Sequence, residues 1–286
     1  LALMLGAHAA DQMENFELRD RYLHEIEHLP QKQQLSRHLL LAESALSRRD
    51  YPTAAQNLEA AAKINSNLSR LVRLQLRYAF DHGDAADVLA KAEKLVKAGA
   101  INDYEAEQYQ NWAYRRLLSE ATDAGSLKAC LKHIPESMKS GELCVAIAEK
   151  YERLGLYAEA VKWVKAHYPQ TRQPELLEAF VESVRFLSER EQQKAIDLAD
   201  SWLQEQPDNA PLLMYLGQLA YGRKLWGKAQ GYLEASIALQ PSVSAHLVLA
   251  RVFDETDQPQ KAQEQRNLVL ESVAEEEHPA ALPQSN

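Results

Sequence analysis

The 286-residue chain has only two cysteines, Cys130 and Cys144, and neither belongs to a C-x-x-C pair. Neither a disulfide framework nor a cysteine zinc site is indicated, and a reducing compartment is the simpler expectation. Cys130 is followed by leucine and not histidine, so no C-x-x-C-H haem attachment exists. Cys144 shares an apolar helical phase with Ile147 and Ala148 and reads as a small core residue. The ten glycines build no phosphate-cradling loop, and no G-x-S-x-G elbow is present, so two common catalytic frameworks are missing. No stretch approaches the ~18 consecutive apolar residues of a spanning helix, and no alternating apolar run argues for strands. Positive charge is the minority, 32 Lys and Arg against 41 Asp and Glu for a net charge of −9. That balance argues against a nucleic-acid backbone as the main ligand. The chain opens at Leu1 without an initiator methionine and enters directly into a helical phrase, Leu1 to Asp11. It reads as a fragment, with any signal or membrane segment lying upstream.

What the chain has is a repeat. Leu216-Gly217, Ala220, Ala229, Leu233 and Pro241 form a comb of small, apolar and proline positions. The comb slides onto Ile147-Ala148, Tyr151, Ala160 and Val164, then onto Phe186, Ala195, Ala199 and Pro207, and last onto Leu249-Ala250, Phe253 and Ala262. The anchor alanines Ala160, Ala195, Ala229 and Ala262 are 35, 34 and 33 residues apart. Leu41-Ala42, Ala45, Ala54 and Leu58 carry the pattern earlier, with Val88 and Ala92 in the same slots 34 residues later. These are the offsets of a tetratricopeptide unit. The expected fold is therefore all-α, a superhelical solenoid of about eight helix-turn-helix units over residues 1–273. The clearest units are 141–168, 176–208, 210–241 and 243–273. Residues 274–286 combine Glu275-Glu276-Glu277 with two prolines and are expected to be a disordered tail. From Val88 to Ala129 the step is 41 residues and from Ala129 to Ala160 it is 31, which predicts an irregular unit with a longer connection around Gly99 to Tyr104.

Small residues at the alanine positions let two antiparallel helices approach closely. Asp50-Tyr51-Pro52 and Asp257-Gln258-Pro259 are expected to open second helices, each with a cap and a proline in the first turn. Pro30, Pro135, Pro207 and Pro241 close units, since proline cannot continue a preceding helix. Trp112, Trp163, Trp202 and Trp226 could offer pockets but are more often core, and Trp163 and Trp202 fall among apolar neighbours on second helices.

One catalytic motif is formally present: His24-Glu25-Ile26-Glu27-His28 matches H-E-x-x-H, in which two histidines one turn apart bind zinc and the glutamate acts as general base. It lies in a repeat helix whose apolar stripe is Tyr22, Ile26 and Leu29, and no third ligand follows on a matched helix. A zinc hydrolase is the weaker alternative, and no enzymatic activity, metal or cofactor is expected. Surfaces are the stronger candidates. Arg70, Arg73 and Arg77 recur at i, i+3 and i+7, a cationic stripe that Arg37 and Arg115 could extend. A planar guanidinium suits the carboxylates of an acidic peptide, while the competing reading is a solvated face pairing with neighbouring glutamates.

The C-terminal units carry a more particular phrase: Pro211-Leu212-Leu213, Leu216-Gly217-Gln218, Leu225-Trp226, Lys228-Ala229, then Pro241, Leu249-Ala250, Pro259 and Ala262. It resembles the end of the bacterial HemY family of tetratricopeptide proteins, and the order and lengths of the preceding repeats are similar through nearly the whole chain. The resemblance implies a Gram-negative inner-membrane protein, held by an N-terminal membrane segment outside this sequence, with the repeat domain in the cytoplasm. It implies a scaffold associated with a late step of protohaem (heme) biosynthesis, with late heme-biosynthesis enzymes as partners. Direct haem or porphyrin binding would fall to a histidine such as His38, His82 or His246, although a lone histidine on a repeat helix is more often structural. A tetratricopeptide adaptor for envelope or lipopolysaccharide assembly is the alternative process served by the same physics.

Overall fold

In the computed structural model the described residues are 2–27 and 30–277. Among them are sixteen α-helices, one short 3-10 turn (Glu136–Met138) and no strand. The helices follow one another as α1 (Ala2–Gln12) and α2 (Phe16–Glu27), α3 (Gln31–Ser47) and α4 (Tyr51–Asn65), α5 (Ser69–His82) and α6 (Ala85–Lys97), α7 (Asp103–Glu120) and α8 (Ala124–His133). The chain continues as α9 (Gly141–Arg153) and α10 (Tyr157–Thr171), α11 (Pro174–Val184) and α12 (Glu189–Glu205), α13 (Ala210–Gly222) and α14 (Trp226–Leu239), α15 (Val243–Glu255) and α16 (Pro259–Glu277). The fold is all-α, a tetratricopeptide-type array of helix pairs. It divides into two compact units, Leu1–Ala121 and Thr122–Asn286. Within the first, the first helices of successive pairs adjoin, α1 with α3 and α3 with α5; within the second, α9 adjoins α11, α11 adjoins α13 and α13 adjoins α15.

The turns explain why the comb recurs. Six of the pairs place one residue in the left-handed region just after the first helix: Glu14, Arg49, Gly83, Gly155, Lys224 and Asp257. In each, the next residue donates its N–H back across the turn, to the carbonyls of Ala10, Ala45, Ala79, Tyr151, Ala220 and Phe253 respectively, at 2.9–3.0 Å. This is the 6→1 bond that closes a helix end. The small or aromatic comb positions are thus the acceptors of one repeated turn. A left-handed residue with a side chain carries roughly 1–2 kcal/mol of strain. Lys224→Gly is accordingly expected to stabilise the second unit by about 0.5–1 kcal/mol. Gly155→Ala, at a site with no neighbour within 4 Å, is expected to lose about 1 kcal/mol from strain alone. Urea unfolding midpoints of opposite shift would bear this out, and shifts of the same sign would refute it.

The structure corrects several sequence expectations. Asp50 does cap α4, accepting from the Thr53 N–H at 3.3 Å, but Asp257 is the left-handed turn residue, and Gln258 precedes Pro259 at the start of α16. Phe186 does not fill the Tyr151 slot: α11 ends at Val184, and the ring lies outside it, 63% exposed. The anchor in α8 is Leu127, fully buried, and not Ala129, which is exposed. The irregular spacing arises mainly within α7, eighteen residues against fourteen in α5, while the connection before it is only Ala98 to Asn102. Helix α16 runs to Glu277, through the start of the expected tail, and residues 278–286 lie outside the described residues.

The other anchors pack as expected. Ala160, Ala195, Ala229 and Ala262 are all buried. Trp202 is buried against Tyr168 and Phe180, with ring centroids 4.7 and 5.4 Å away. Trp163 is half-buried and donates its indole N–H to the Cys144 carbonyl at 3.1 Å. Cys144 is fully buried, and that burial pushes its thiol pKa up. At the other end of the chain, buried Arg19 of α2 donates to the Asp11 carboxylate of α1 and to Ser44 Oγ of α3, both at 3.0 Å.

Candidate partner-binding faces

Helix α5 buries Leu71, Val72, Leu74, Leu76 and Ala79. Its second, fifth and ninth residues, Arg70, Arg73 and Arg77, are therefore left exposed on the remaining face. Arg70 pairs with Glu43 of α3 at 2.6 Å. Arg73 pairs with Glu105 of α7 at 3.4 Å and also donates to the Ala100 carbonyl. Both carboxylates come from first helices, so the arginine stripe runs in the layer those helices form. The pairs are open to solvent, 54% and 42% exposed for Arg70 and Glu43, and exposed pairs contribute only about 0–1 kcal/mol each. A partner's carboxylate can therefore replace Glu43 or Glu105 at little cost. Arg77 completes the stripe, exposed and without an ion pair among the described residues. Arg37 and Arg115 do not extend it. Arg37 is half-buried and stands about 120° round α3 from Glu43, and exposed Arg115 stands about 80° round α7 from Glu105.

The second unit repeats this arrangement with the charge reversed. Helix α11 buries Leu176, Leu177, Ala179, Phe180, Val181 and Val184. Its second, fifth and ninth residues are Glu175, Glu178 and Glu182, the same helix positions as the three arginines of α5. Glu149 and Glu152 of α9 add to the field. Burial first, then Glu182, Glu149 and Glu178, raise the Glu152 carboxyl above its ordinary range, against an opposing pull from Arg153. On the other side, Tyr215 of α13 is pushed up to about 12 by burial and by Glu178, Glu175 and Glu182. Arg185 pairs with Glu182 at 2.7 Å and Arg153 with Glu149 at 3.2 Å. Glu149, Glu152, Glu175, Glu178 and Glu182 outnumber Arg153 and Arg185, so these two pairs leave the face negative. Beside it, α11, α13 and α15 enclose a groove of about 320 Å³ lined by Glu182, Arg185, Gln218, Tyr221, Leu247 and Arg251, with Leu247 40% exposed. The glutamate triplet was readable from the same i, i+3, i+7 spacing as the arginines, but acid on a helix of an acidic chain does not stand out.

The remaining sequence candidates are dispersed. His24 and Glu25 are exposed on α2, and His28 lies outside the described residues. Among the described residues no three His, Cys, Asp or Glu are grouped to hold a metal ion, and no helix is long and apolar enough to cross a membrane. Each candidate haem histidine has a ring nitrogen engaged locally: His38 with Asn57 Oδ1 at 2.9 Å, His82 with the Tyr78 carbonyl at 2.9 Å, and His246 with Gln265 Oε1 at 2.7 Å.

No protein-family model matches the chain, and no curated protein matches it either. Among solved structures, the chain is similar to the MamA protein, with 12% identity over 88% of this chain and 98% of MamA at a TM-score of 0.38. It is similar to yeast Tom70, with 13% identity over 97% of this chain and 69% of Tom70 at a TM-score of 0.35. A third likeness is to the TPR domain of P58(IPK), with 17% identity over 91% of this chain and 80% of that domain at a TM-score of 0.31.

Proposed function

We propose that this chain is a non-catalytic protein-binding scaffold with two first-helix faces of opposite charge. The arginine face of α5 takes acidic segments and the glutamate face of α11 takes basic ones. The observation that carries the reading is the placement of Arg70, Arg73 and Arg77, and of Glu175, Glu178 and Glu182, at identical positions of two first helices. Such faces select partners by charge and speed encounter more than they add raw affinity. The resemblance to the HemY family supports the process: gathering late protohaem-biosynthesis enzymes at the Gram-negative inner membrane, with these repeats on the cytoplasmic side.

The test is affinity capture of the full-length, membrane-extracted protein, comparing wild type with R70E/R73E/R77E and with E175K/E178K/E182K. Each reversal is expected to deplete a different co-purifying protein by about tenfold or more, the effect of three rim charges at about 0.5 kcal/mol each. Identical capture by all three proteins would refute the two-face reading. Recovery of ferrochelatase or other haem-pathway enzymes would support the process; recovery of envelope-assembly proteins in their place would retain the scaffold and replace the pathway.

A further inference from the structure

The second helices α10 and α12 leave between them a groove that neither first-helix face uses. It has a volume of about 340 Å³, and its apolar lining is Ala158, Val161, Leu187, Ala195 and Leu198. That is within the ~300–1,000 Å³ of clefts that hold ligands. Its charged lining is Lys162 and Lys165 from α10 and Lys194 and Glu191 from α12. In a chain of net charge −9, the sign is inverted here. The three lysines are exposed and make no ion pair among the described residues. Glu191 is held chiefly by its own helix: its carboxylate accepts from the Ser188 N–H at 3.1 Å and from Ser188 Oγ at 2.5 Å, closing the capping box of α12, and these bonds, with a smaller pull from Lys194, lower its pKa. Asp197, further along α12, accepts from Gln193 at 2.9 Å and does not line the groove, nor does Glu159 of α10. Leu187 at the edge follows Phe186, whose exposed ring stacks on Tyr157 at 4.2 Å and 11°.

The geometry points to this groove as a docking site for an acidic amphipathic helix of a partner protein. The partner's apolar stripe seats on Val161, Leu187 and Leu198, and its flanking carboxylates meet Lys162, Lys165 and Lys194. Charge complementarity selects the occupant: a lysine's apolar stem covers such a groove while its ammonium stays free for a carboxylate. The recess between two helices suits the ridge of a third helix, in the helix-in-groove mode of recognition, better than it suits a flat membrane.

The experiment uses the full chain and a fluorescein-labelled amphipathic peptide with leucines at i, i+3, i+4 and i+7 and glutamates on both flanks. A matched peptide carries lysine in place of glutamate, and vesicles of phosphatidylglycerol and phosphatidylcholine serve as the membrane probe. The acidic peptide is expected to bind, and K162E/K165E/K194E is expected to weaken it about tenfold. K128E/K132E/K228E, with the same change in net charge on exposed residues elsewhere, is expected to leave binding unchanged, and L187S, on the apolar lining, to weaken it without altering its salt dependence. The proposal is overturned if the acidic peptide fails to bind below about 1 mM, if the lysine peptide binds equally well, or if both triple variants behave alike. It is also overturned if only vesicles bind, which makes the groove a membrane contact, or if the groove variant abolishes self-association of the chain, which makes the occupant a second copy.

Discussion

Arg19→Ala is expected to cost about 3 kcal/mol, the lower end of what breaking a buried ion pair costs. The Arg19 and Asp11 side chains are only 7% and 10% exposed. The guanidinium ties three helices together, reaching Asp11 of α1 and Ser44 of α3 from α2, and it also pairs with Asp20 at 2.7 Å. It lies 5.0 Å from the Phe16 ring centroid, so its removal also opens packing space. Removing it leaves the Asp11 carboxylate with the Ser44 hydroxyl at 2.6 Å as its remaining donor, and one neutral hydrogen bond does not compensate a desolvated charge. Asp11→Asn should cost less, because the amide oxygen still accepts from Ser44 and Arg19 keeps Asp20. The double change R19M/D11L should recover much of the loss, as apolar replacement of a buried pair commonly does. Repeat arrays transmit stability mainly to neighbours, so amide exchange should accelerate in α1 to α3 and hardly at all in α9 to α16. Uniform acceleration along the chain, or an unchanged exchange pattern, would refute this account.

The fold was legible because the comb reports backbone geometry as well as side-chain packing. Ala45, Tyr151, Ala220 and Phe253 all accept the closing hydrogen bond of the same left-handed turn, so their periodicity survives wherever that turn does. It fails where the turn changes. Between α11 and α12, Leu187 donates to Val184, three residues back, and Phe186 drops out of register and into solvent. In α8 a leucine, Leu127, stands at the anchor position, two residues before the exposed Ala129 that alanine spacing points to. The arginine stripe and its pairing with neighbouring glutamates were legible from spacing, but not which glutamates, since Glu43 and Glu105 lie 27 and 32 residues away and meet the arginines only when first helices stack. The same is true of the groove between α10 and α12. Lys162, Lys165 and Lys194 resemble any solvated helix face until the two second helices place them around one apolar floor.

Gly217→Ala tests a close approach of α13 and α14, and its sign is set by two opposing effects. Alanine is favoured over glycine within a helix by about 1 kcal/mol. Here, however, a Cβ would fall 2.5 Å from Leu233 Cγ and 2.8 Å from its Cδ2. Leu233 is fully buried on α14, within the cluster that includes Ala220, Ala229 and Leu249, and has no free space to enter. Overpacking of this kind costs about 1–3 kcal/mol, and an overlap this deep belongs at the upper end, so Gly217→Ala is expected to lose about 1–2 kcal/mol net. Gly231, an exposed residue of α14 with nothing within 4 Å of an added Cβ, should respond to the same substitution by gaining about 0.5–1 kcal/mol. In a Gly217→Ala background, Leu233→Ala should cost less than it does alone, because the new methyl partly fills the cavity it leaves. Denaturant unfolding of the four variants decides the matter, and stabilisation by Gly217→Ala equal to that by Gly231→Ala would mean that α13 and α14 are not in close contact there. The same approach sets the position of Tyr215 on the opposite side of α13, beside the glutamate face. If α13 shifts to relieve the overlap, Gly217→Ala should also weaken capture of the partner lost in E175K/E178K/E182K, although Gly217 itself is buried away from any partner.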